Sequence, residues 1–282
     1  MIDNIFRQLQ PYEKYLSFHE ALFKVQLKNM QRLMSGSSFN KLNKIDVKTK
    51  IKKGLPILTP QNLIISEKDL EDIFDAIIPV IKKFYSGCEE LKRLVDLNDK
   101  RKFSLKRLTE NILLRDEAGW QTLSTELNLS TTILMKIGEY ISTPYLELCS
   151  EYFAKKINKS TWEQPFCPIC GGQPSMALVG EKKDHRILWC RLCDTEWKYK
   201  ENVCPFCNCD DLKKVKHIFP PGKSSHRIDA CDNCKRYLKT IDERFISEKQ
   251  SLVIEYLSTY HHDLLALKKG YNIPINPFLF VD

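Results

Sequence analysis

Nine of the eleven cysteines in this 282-residue chain lie between Cys167 and Cys234. Eight of the nine form four Cys-x-x-Cys pairs: Cys167 and Cys170, Cys190 and Cys193, Cys204 and Cys207, and Cys231 and Cys234. Four thiolates bind zinc or iron in a tetrahedron, and two such pairs about 15 to 20 residues apart supply them from the two ends of a hairpin. Nineteen residues separate the first two pairs and 23 separate the last two. The spacing therefore predicts two metal sites with these eight cysteines as ligands.

The grouping of the pairs follows from the same spacing. Each of the two intervals closes a hairpin on its own, which favours sequential grouping, although an interleaved arrangement stays open. A single Cys-x-x-Cys pair is equally typical of a redox dithiol, but four in succession favour metal. Cys209 is left over as an idle thiol or a spare ligand. Buried packing accounts for Cys88 and Cys149.

The residue after each second cysteine bears on the turn around the metal. Glycine eases this turn because it tolerates positive φ. Gly171 follows Cys170, and Asn208, a tolerated substitute, follows Cys207. Asp194 and Lys235 occupy the other two positions.

A four-thiolate site has no open coordination position, so it neither activates water nor binds substrate. With zinc such a ribbon displays a surface, and with iron it forms a rubredoxin-type centre that can also pass one electron. The sequence contains no Walker loop, dinucleotide fingerprint or His-Glu-x-x-His motif. We therefore predict that the protein is not an enzyme. A protein-binding module, a zinc-ribbon nucleic-acid binder and a one-electron carrier remain as the three classes of function.

The elements that flank the cysteines are predominantly helical by the spacing of their apolar residues. Ser66 is a predicted N-cap, and the helix after it contains Pro79, where we expect a kink. Its apolar face is formed by Leu70, Ile73, Phe74, Ile77, Ile78, Ile81 and Phe84. Two further segments are amphipathic, 105–114 and 130–141. Another helix is predicted with Thr143 as its cap and Pro144 at its first position.

The fold class that follows is multidomain, α plus small β. We predict a helical bundle at 1–160, two tandem rubredoxin-like or zinc-ribbon modules at 161–200 and 201–245, and a C-terminal helix and tail at 246–282. The last helix is expected at 251–269, ended by Gly270. Its predicted apolar face consists of Leu257, Tyr260, Leu264 and Leu267. The apolar tail after it, which contains Phe278, Leu279 and Phe280, is expected to pack against a domain.

The distribution of charge indicates which class of partner the protein binds. The formal net charge is +8, with 44 Lys and Arg against 36 Asp and Glu. Most of the excess lies before residue 161, where 26 basic residues face 20 acidic ones. Eight thiolates around two divalent ions would lower the net charge to about +4 and make the metal half mildly acidic. Although Trp189, Arg191, Trp197, Lys198 and Tyr199 offer some interleaving of basic and aromatic residues, this balance disfavours nucleic acid.

The N-terminal residues and the cysteine pairs predict the cellular compartment of the protein. The N-terminal residues contain Asp3 and no apolar core of signal-peptide length, and no stretch is apolar enough to predict a membrane segment. Disulfides rarely persist in the cytosol, where paired cysteines bind metal more often. We expect a cytoplasmic protein, and its oligomeric state is left open.

Several short motifs around the cysteines are similar to those of the formate dehydrogenase accessory protein family. They keep their order and are Cys-Pro-Ile-Cys-Gly-Gly from 167, Leu-Trp-Cys-Arg-Leu-Cys-Asp-Thr-Glu-Trp from 188, Cys-Pro-Phe-Cys from 204, Ala-Cys-Asp-Asn-Cys-Lys-Arg-Tyr-Leu-Lys-Thr-Ile-Asp from 230, His-Asp-Leu from 262, Gly-Tyr from 270 and Asn-Pro-Phe from 276. Within the first half only Gly54-Leu55-Pro56-Ile57-Leu58 resembles a short family segment. The chain departs from the family pattern at Cys209 and at the loop 219–223.

The resemblance implies a cytoplasmic assembly factor that is required for the maturation of respiratory formate dehydrogenase. It implies binding to the catalytic subunit of that enzyme, and two rubredoxin-type iron sites, with zinc as the alternative metal. The eight paired cysteines are the ligands that it implies. Five further residues match family positions: Thr195, Glu196, Trp197, Tyr237 and Asp242. The resemblance implies that these positions form either a partner surface or the packing around each metal.

Overall fold

The computed structural model describes residues 2–35, 42–157, 162–180, 185–220, 225–246 and 251–272. Contacts between Cα atoms divide the chain into two compact units. Among the described residues, the first unit consists of the chain up to Ile45 together with Leu58–Cys149, and the second consists of Asp46–Ile57 together with the chain from Ser150 to Asn272. The division into four domains at 160, 200 and 245 stays a prediction, since this grouping resolves two units.

Helices form the regular structure of the described chain up to Ala154, as the apolar spacing predicted. They are α1 (Ile2–Met34), α2 (Val47–Lys52), α3 (Glu67–Phe84), α4 (Glu89–Asp99), α5 (Leu105–Leu114), α6 (Glu117–Leu127) and α7 (Thr131–Ala154), with a 3-10 turn at Pro60–Asn62. In the first unit α1 packs along α3. Phe18 of α1 is buried there, with its ring 5.7 Å from that of Phe84 and 5.9 Å from that of Tyr140.

Helix α3 begins where its capping residues predicted. The Ser66 hydroxyl accepts a hydrogen bond from the backbone N–H of Asp69 at 3.0 Å and donates to its carboxylate at 2.6 Å. Six of the seven predicted apolar positions are buried, and Phe84 is half-buried. The helix continues through Pro79 to Phe84. Cap and apolar stripe together account for this helix.

The prediction of a helix start at Thr143 and Pro144 is wrong, because α7 runs through both residues. Proline lacks the N–H that would bond to the carbonyl four residues earlier, which here belongs to Tyr140. The side-chain amide of Gln26 donates to that carbonyl at 2.9 Å instead. Thr143 donates its hydroxyl to the Glu139 carbonyl at 2.9 Å and caps nothing. A distant side chain therefore allows proline inside a continuous helix.

The second unit contains one six-stranded sheet. Its strands are β1 (Met176–Val179), β2 (His185–Cys190), β3 (Thr195–Lys200), β4 (Val215–Ile218), β5 (His226–Cys231) and β6 (Tyr237–Asp242). The spatial order is β3-β2-β1-β6-β5-β4. The predicted α plus small β fold class, with helices before and after the cysteine-bearing strands, is confirmed.

Two antiparallel ribbons, β1–β2–β3 and β4–β5–β6, make up this sheet. They join through a parallel pairing of β1 with β6, in a register that runs from Met176 opposite Lys239 to Val179 opposite Asp242. Both ribbons present their strands in the same order, third, second, first. They are therefore side-by-side repeats in one continuous sheet.

The predicted C-terminal helix is two helices, α8 (Leu252–Ser258) and α9 (Tyr260–Lys268). Thr259 lies between them and donates its hydroxyl to the Glu255 carbonyl at 2.6 Å. The predicted apolar face is right only at Leu257, which is buried, since Leu264 is 46% and Leu267 43% exposed. The break turns His262, Asp263 and Ala266 inward instead, where Asp263 meets partners on β6.

Two predictions about the end of the chain have different outcomes. Gly270, placed to end the last helix, has φ of +83° and follows the C-cap residue Lys269. This is the left-handed conformation in which glycine commonly ends helices. The predicted packing of Phe278, Leu279 and Phe280 falls outside the described residues.

Candidate metal centres

The first cluster brings together the sulfurs of Cys167, Cys170, Cys190 and Cys193. All four sulfurs lie within 4.8 Å of one another. The Sγ atoms of Cys167 and Cys193 are 3.4 Å apart, and those of Cys170 and Cys190 are 3.6 Å apart. The first two pairs come from the approach to β1 and from the β2–β3 turn, so the first ribbon closes this cluster by itself.

The second cluster brings together Cys204, Cys207, Cys231 and Cys234 at the same spacing. The sulfurs of Cys204 and Cys234 are 3.7 Å apart, as are those of Cys207 and Cys231. Sequential grouping of the four pairs is thus what the fold produces, and the interleaved arrangement is excluded. That these sulfurs hold a metal remains a prediction at this point.

All four cysteine turns use the left-handed backbone conformation directly after the second cysteine. The φ angles are +71° at Gly171, +54° at Asp194, +57° at Asn208 and +57° at Lys235. Non-glycine residues adopt this region at a cost of about 1–2 kcal/mol. Asn and Asp visit this region more readily than other residues, so Lys235 carries most of the strain that these turns impose.

A repeated backbone hydrogen bond closes three of the four cysteine turns and gives Cys209 a structural role. The N–H of Cys167 donates to the carbonyl of Gly172 at 2.8 Å, and that of Cys204 donates to the carbonyl of Cys209 at 2.8 Å. The N–H of Cys231 bonds likewise to Arg236. Cys209 thus holds its place through its main chain, and its sulfur lies outside the second cluster. Of the two roles considered for this residue, the geometry favours the idle thiol.

The residues present fit a tetrahedral metal ion. Metal–sulfur bonds of about 2.3 Å give a tetrahedron with edges of about 3.8 Å, close to the sulfur separations of 3.4–3.7 Å. Backbone N–H groups point at the sulfurs, as from Gly172 to Cys170 at 3.4 Å. A Cβ added at Gly172 would meet the sulfur of Cys190 at 3.1 Å, so glycine leaves room for this arrangement. The chemistry suits both iron and zinc.

The pKa values of the first cluster reflect four thiols held close together with no positive charge among them. Burial opposes ionisation of Cys167, but hydrogen bonds from the other three thiols hold its pKa well below the usual value. The pKa of Cys170 is raised, first by its hydrogen bond to Cys167, and that of Cys193 is raised by burial. Ionising several thiols this close together is unfavourable without a cation, because each new thiolate repels the one already present. A divalent cation would stabilise the thiolates.

A buried charge cluster beside the second centre was missed by the sequence analysis. Asp229 of β5 receives the hydroxyl of Thr240 at 2.8 Å, and its carboxylate pairs with Arg227 at 2.7 Å and with Arg186 of β2 at 3.2 Å. Arg186 also donates to the carbonyl of Val203, next to Cys204, at 2.6 Å. Burial opposes ionisation of Asp229, but its hydrogen bond with His217 and the charges of Arg227 and Arg186 hold its pKa below the usual value.

A sequence signal for this cluster exists in the middle strands of the two ribbons. Both read His-Arg-Ile-x-x-Cys, at 185–190 and at 226–231. Arg186 and Arg227 occupy equivalent places in this repeat, and both reach the same carboxylate. The repeat marks the two ribbons as copies of one motif.

Four of the five residues at the family positions are buried. They are Thr195, Trp197, Tyr237 and Asp242, whereas Glu196 is half-buried. Thr195 places its hydroxyl 3.1 Å from the sulfur of Cys193, and Tyr237 donates its hydroxyl to Asp263 at 2.6 Å. Asp263 also pairs with the buried Lys239 at 2.9 Å. The burial of these four side chains favours packing within the ribbons over a partner surface.

The aromatic residues that offered a nucleic-acid pattern are buried as well. Trp189 and Trp197 are each 1% exposed, and their indole N–H groups donate to Asp194 and to the carbonyl of Gln164. Tyr199 donates its hydroxyl to Asn208 at 3.0 Å. Bases cannot stack on rings that the core already covers, so this feature does not support a nucleic-acid interface.

Two histidines near the cysteine turns have carboxylate partners. His226 is buried, with its Nε2 2.9 Å from the carboxylate of Glu255 and its Nδ1 2.9 Å from the hydroxyl of Ser225. His217 lies 2.7 Å from Asp229. Both are joined to carboxylates and belong to neither sulfur cluster.

Within the described residues, no helix has the length and apolarity that crossing a membrane requires.

The sheet consists of two ribbons, each with a cluster of four cysteines, and helices precede both. The chain therefore belongs to the class of double-ribbon proteins with two four-cysteine clusters. Residues 166–200 match the family model of the FdhE central domain. The "Protein FdhE homolog" of Aquifex aeolicus (strain VF5) is 24% identical over 240 residues, which cover 82% of this chain and 76% of that protein. "Protein FdhE" of Escherichia coli (strain K12 / DH10B) is 31% identical over 122 residues, 42% of this chain and 38% of that protein.

The crystal structure of the FdhE protein from Pseudomonas aeruginosa is similar along most of the chain. Its TM-score is 0.59 at 16% identity, and the match covers 96% of this chain and 94% of that one. At this identity the likeness shows a shared fold. The alignment to the E. coli relatives spans about two fifths of their length. Together the comparisons confirm the resemblance to FdhE proteins that the sequence motifs carry.

Proposed function

We propose that this protein is a cytoplasmic accessory factor for the maturation of respiratory formate dehydrogenase. It binds the catalytic subunit of that enzyme and carries out no catalysis of its own. The observation that carries the proposal is the pair of four-cysteine clusters in a chain with an FdhE central segment and a fold similar to that of an FdhE protein. The four-thiolate chemistry supports a binding role, since it leaves no coordination position for a substrate.

The eight paired cysteines are the proposed metal ligands, and iron in two rubredoxin-type sites is the proposed metal. Sulfur separations and backbone N–H donors support a tetrahedral ion at each cluster. Iron bound there would supply one-electron chemistry, whereas zinc would serve structure alone. In either case the turns, Gly172 and the ribbon strands hold the sulfurs in place.

The metal proposal is tested by metal analysis of anaerobically purified protein. We expect two equivalents of iron in the wild type and one in Cys207→Ser. Cys209→Ser is the matched control, because Cys209 lies two residues away and outside the cluster, so it should keep both equivalents. Full occupancy in Cys207→Ser would refute the ligand assignment, and zinc alone would refute iron.

The maturation proposal is tested in a strain that lacks the gene. We expect formate dehydrogenase activity to be lost, restored by the wild type and by Cys209→Ser, and not restored by Cys207→Ser. The catalytic subunit should co-purify with the tagged wild-type protein. Normal formate dehydrogenase activity without this protein would refute the proposal, and tight nucleic-acid binding without the catalytic subunit would favour the zinc-ribbon alternative.

A further inference from the structure

The two cysteine clusters differ in their access to solvent. The four cysteines of the first are at most 1% exposed, whereas in the second only Cys204 and Cys231 are buried, at 4% and 2%. Cys207 and Cys234 are half-buried. Because these two are the second cysteines of their turns, the accessible thiols of the second cluster lie at equivalent places in two adjoining turns.

The difference has a cause in the residue before each second cysteine. In the first cluster these residues are Ile169 and Leu192, and in the second they are Phe206 and Asn233. Ile169 is buried, and Leu192 reaches within 3.3 Å of a Cβ built on Gly172, beside the sulfurs. Asn233 is exposed, and its amide donates to the sulfur of Cys207 at 3.6 Å. In the later turn of each cluster, the aliphatic side chain of Leu192 is thus replaced by the open amide of Asn233, while the earlier turns have the buried Ile169 and the half-buried Phe206.

The first turn of the first cluster is also covered by a segment that lies before the sheet in the chain. Ile57, which is fully buried, donates its N–H to the carbonyl of Pro168 at 2.9 Å. Pro168 lies inside the first Cys-x-x-Cys pair. The first cluster is therefore enclosed by residues from its own ribbon and from the segment Asp46–Ile57.

We propose that the second cluster is the exchangeable metal site of this protein and that the first retains its metal. The inference rests on the proposed metal binding by both clusters. Exchange needs an incoming ligand to reach a bound sulfur, and a small thiol or chelator can reach Cys207 and Cys234 but not the first four cysteines. As the ligand's donor atom bonds to the metal, Cys207 gives up its bond and takes a proton from solvent, with no change in oxidation state.

Asn233 is assigned as the residue that sets the rate. Its hydrogen bond to Cys207 holds one of the two sulfurs of this cluster that face solvent, and partners of this kind change metal affinity by about 10- to 100-fold. Asn233→Ala should speed release, because it removes the donor and opens the site further. Asn233→Leu, which copies Leu192, should slow it. Asn202→Leu is a matched control, since Asn202 is exposed in the same ribbon region and no part of the cluster.

The test uses the full chain loaded with two equivalents of 113Cd, confirmed by metal analysis, and EDTA in excess. We expect two cadmium NMR signals, one of which disappears at least about tenfold faster than the other. The fast signal should be the one that shifts in Asn233→Leu, and its loss should be slower there and unchanged in Asn202→Leu.

Two results would overturn the inference while leaving metal binding intact: equal rates for both signals, or faster loss of the signal that Asn233→Leu leaves in place. A chain that binds fewer than two equivalents would contradict the proposed metal sites themselves, and this inference with them. Failure of maturation in vivo would leave the exchange rates unaffected, so the two proposals fail separately.

Discussion

The guanidinium of Arg186, in the middle strand of the first ribbon, lies 3.2 Å from the carboxylate of Asp229, in the middle strand of the second. Both side chains are buried. Two strands, β1 and β6, separate them in the sheet, so this pair ties the ribbons together in addition to the backbone pairing of β1 with β6.

Removing one partner of this pair should destabilise the second unit strongly. A buried ion pair that loses one partner costs about 3–5 kcal/mol when the other charge is left without compensation, but Asp229 keeps Arg227 at 2.7 Å. We therefore expect a smaller loss of about 2–3 kcal/mol for Arg186→Met, the size typical of a lost hydrogen bond to a charged group, measured by urea denaturation of the metal-loaded chain.

Arg107 provides the control for this measurement. It pairs with Glu126 through two contacts of 2.9 Å, but both side chains are more than 40% exposed. Exposed pairs are worth about 0–1 kcal/mol. Equal losses for Arg107→Met and Arg186→Met would contradict the role assigned to burial.

Gln26 and Pro144 should be coupled. Gln26→Leu leaves the buried carbonyl of Tyr140 without its partner, and we expect a loss of about 1–3 kcal/mol. Pro144→Ala restores an N–H at the helical position that bonds to this carbonyl. In the Pro144→Ala background, Gln26→Leu should therefore cost far less. The measurement is a double-mutant cycle by thermal or urea unfolding, and additive effects would argue against this account.

The strained turn at Lys235 should relax with glycine. Lys235 has φ of +57°, which glycine adopts freely and alanine does not. We expect Lys235→Gly to be more stable than Lys235→Ala by about 1 kcal/mol. The comparison removes the lysine side chain, with its 3.0 Å pair to Asp232, from both variants. Equal stability would mean that the turn is not the source of strain.

Alkaline pH should lower the free energy of unfolding of the first unit, because the buried thiol of Cys149 belongs to it. Burial raises the pKa of this thiol to about 12 from a reference of 9.0. Between these pH values the thiol is deprotonated in the unfolded state but keeps its proton in the folded state. The free energy of unfolding is therefore unaffected by this group below pH 9 and falls as the pH rises above it. The slope approaches about 1.4 kcal/mol per pH unit for one group.

Cys149→Ala isolates this contribution. The variant is less stable at pH 8 because a cavity remains, but its stability should fall less steeply from pH 9 to pH 11 than that of the wild type. Urea denaturation followed by circular dichroism at several pH values measures both slopes. Parallel slopes would show that Cys149 does not titrate in this range.

Local patterns predicted much of this fold and most of the candidate site. The cysteine groups followed from spacing because each hairpin brings its own ends together, and α3 followed from the Ser66 cap and one apolar stripe. Features that depend on distant residues were out of reach. Pro144 was misjudged since its compensation comes from Gln26, and the pairing of β1 with β6 has no local signal.

The parallel junction between the ribbons also sets an order of events during synthesis. Val179 pairs with Asp242, more than 60 residues later in the chain. At about 5–20 residues per second, roughly 3 to 12 s pass on the ribosome before β6 emerges. During that interval one edge of β1, whose four residues are all buried in the finished protein, has no neighbour. An uncovered apolar edge promotes association between chains, so the newly made protein is most prone to aggregate after its first ribbon has formed and before its second is complete.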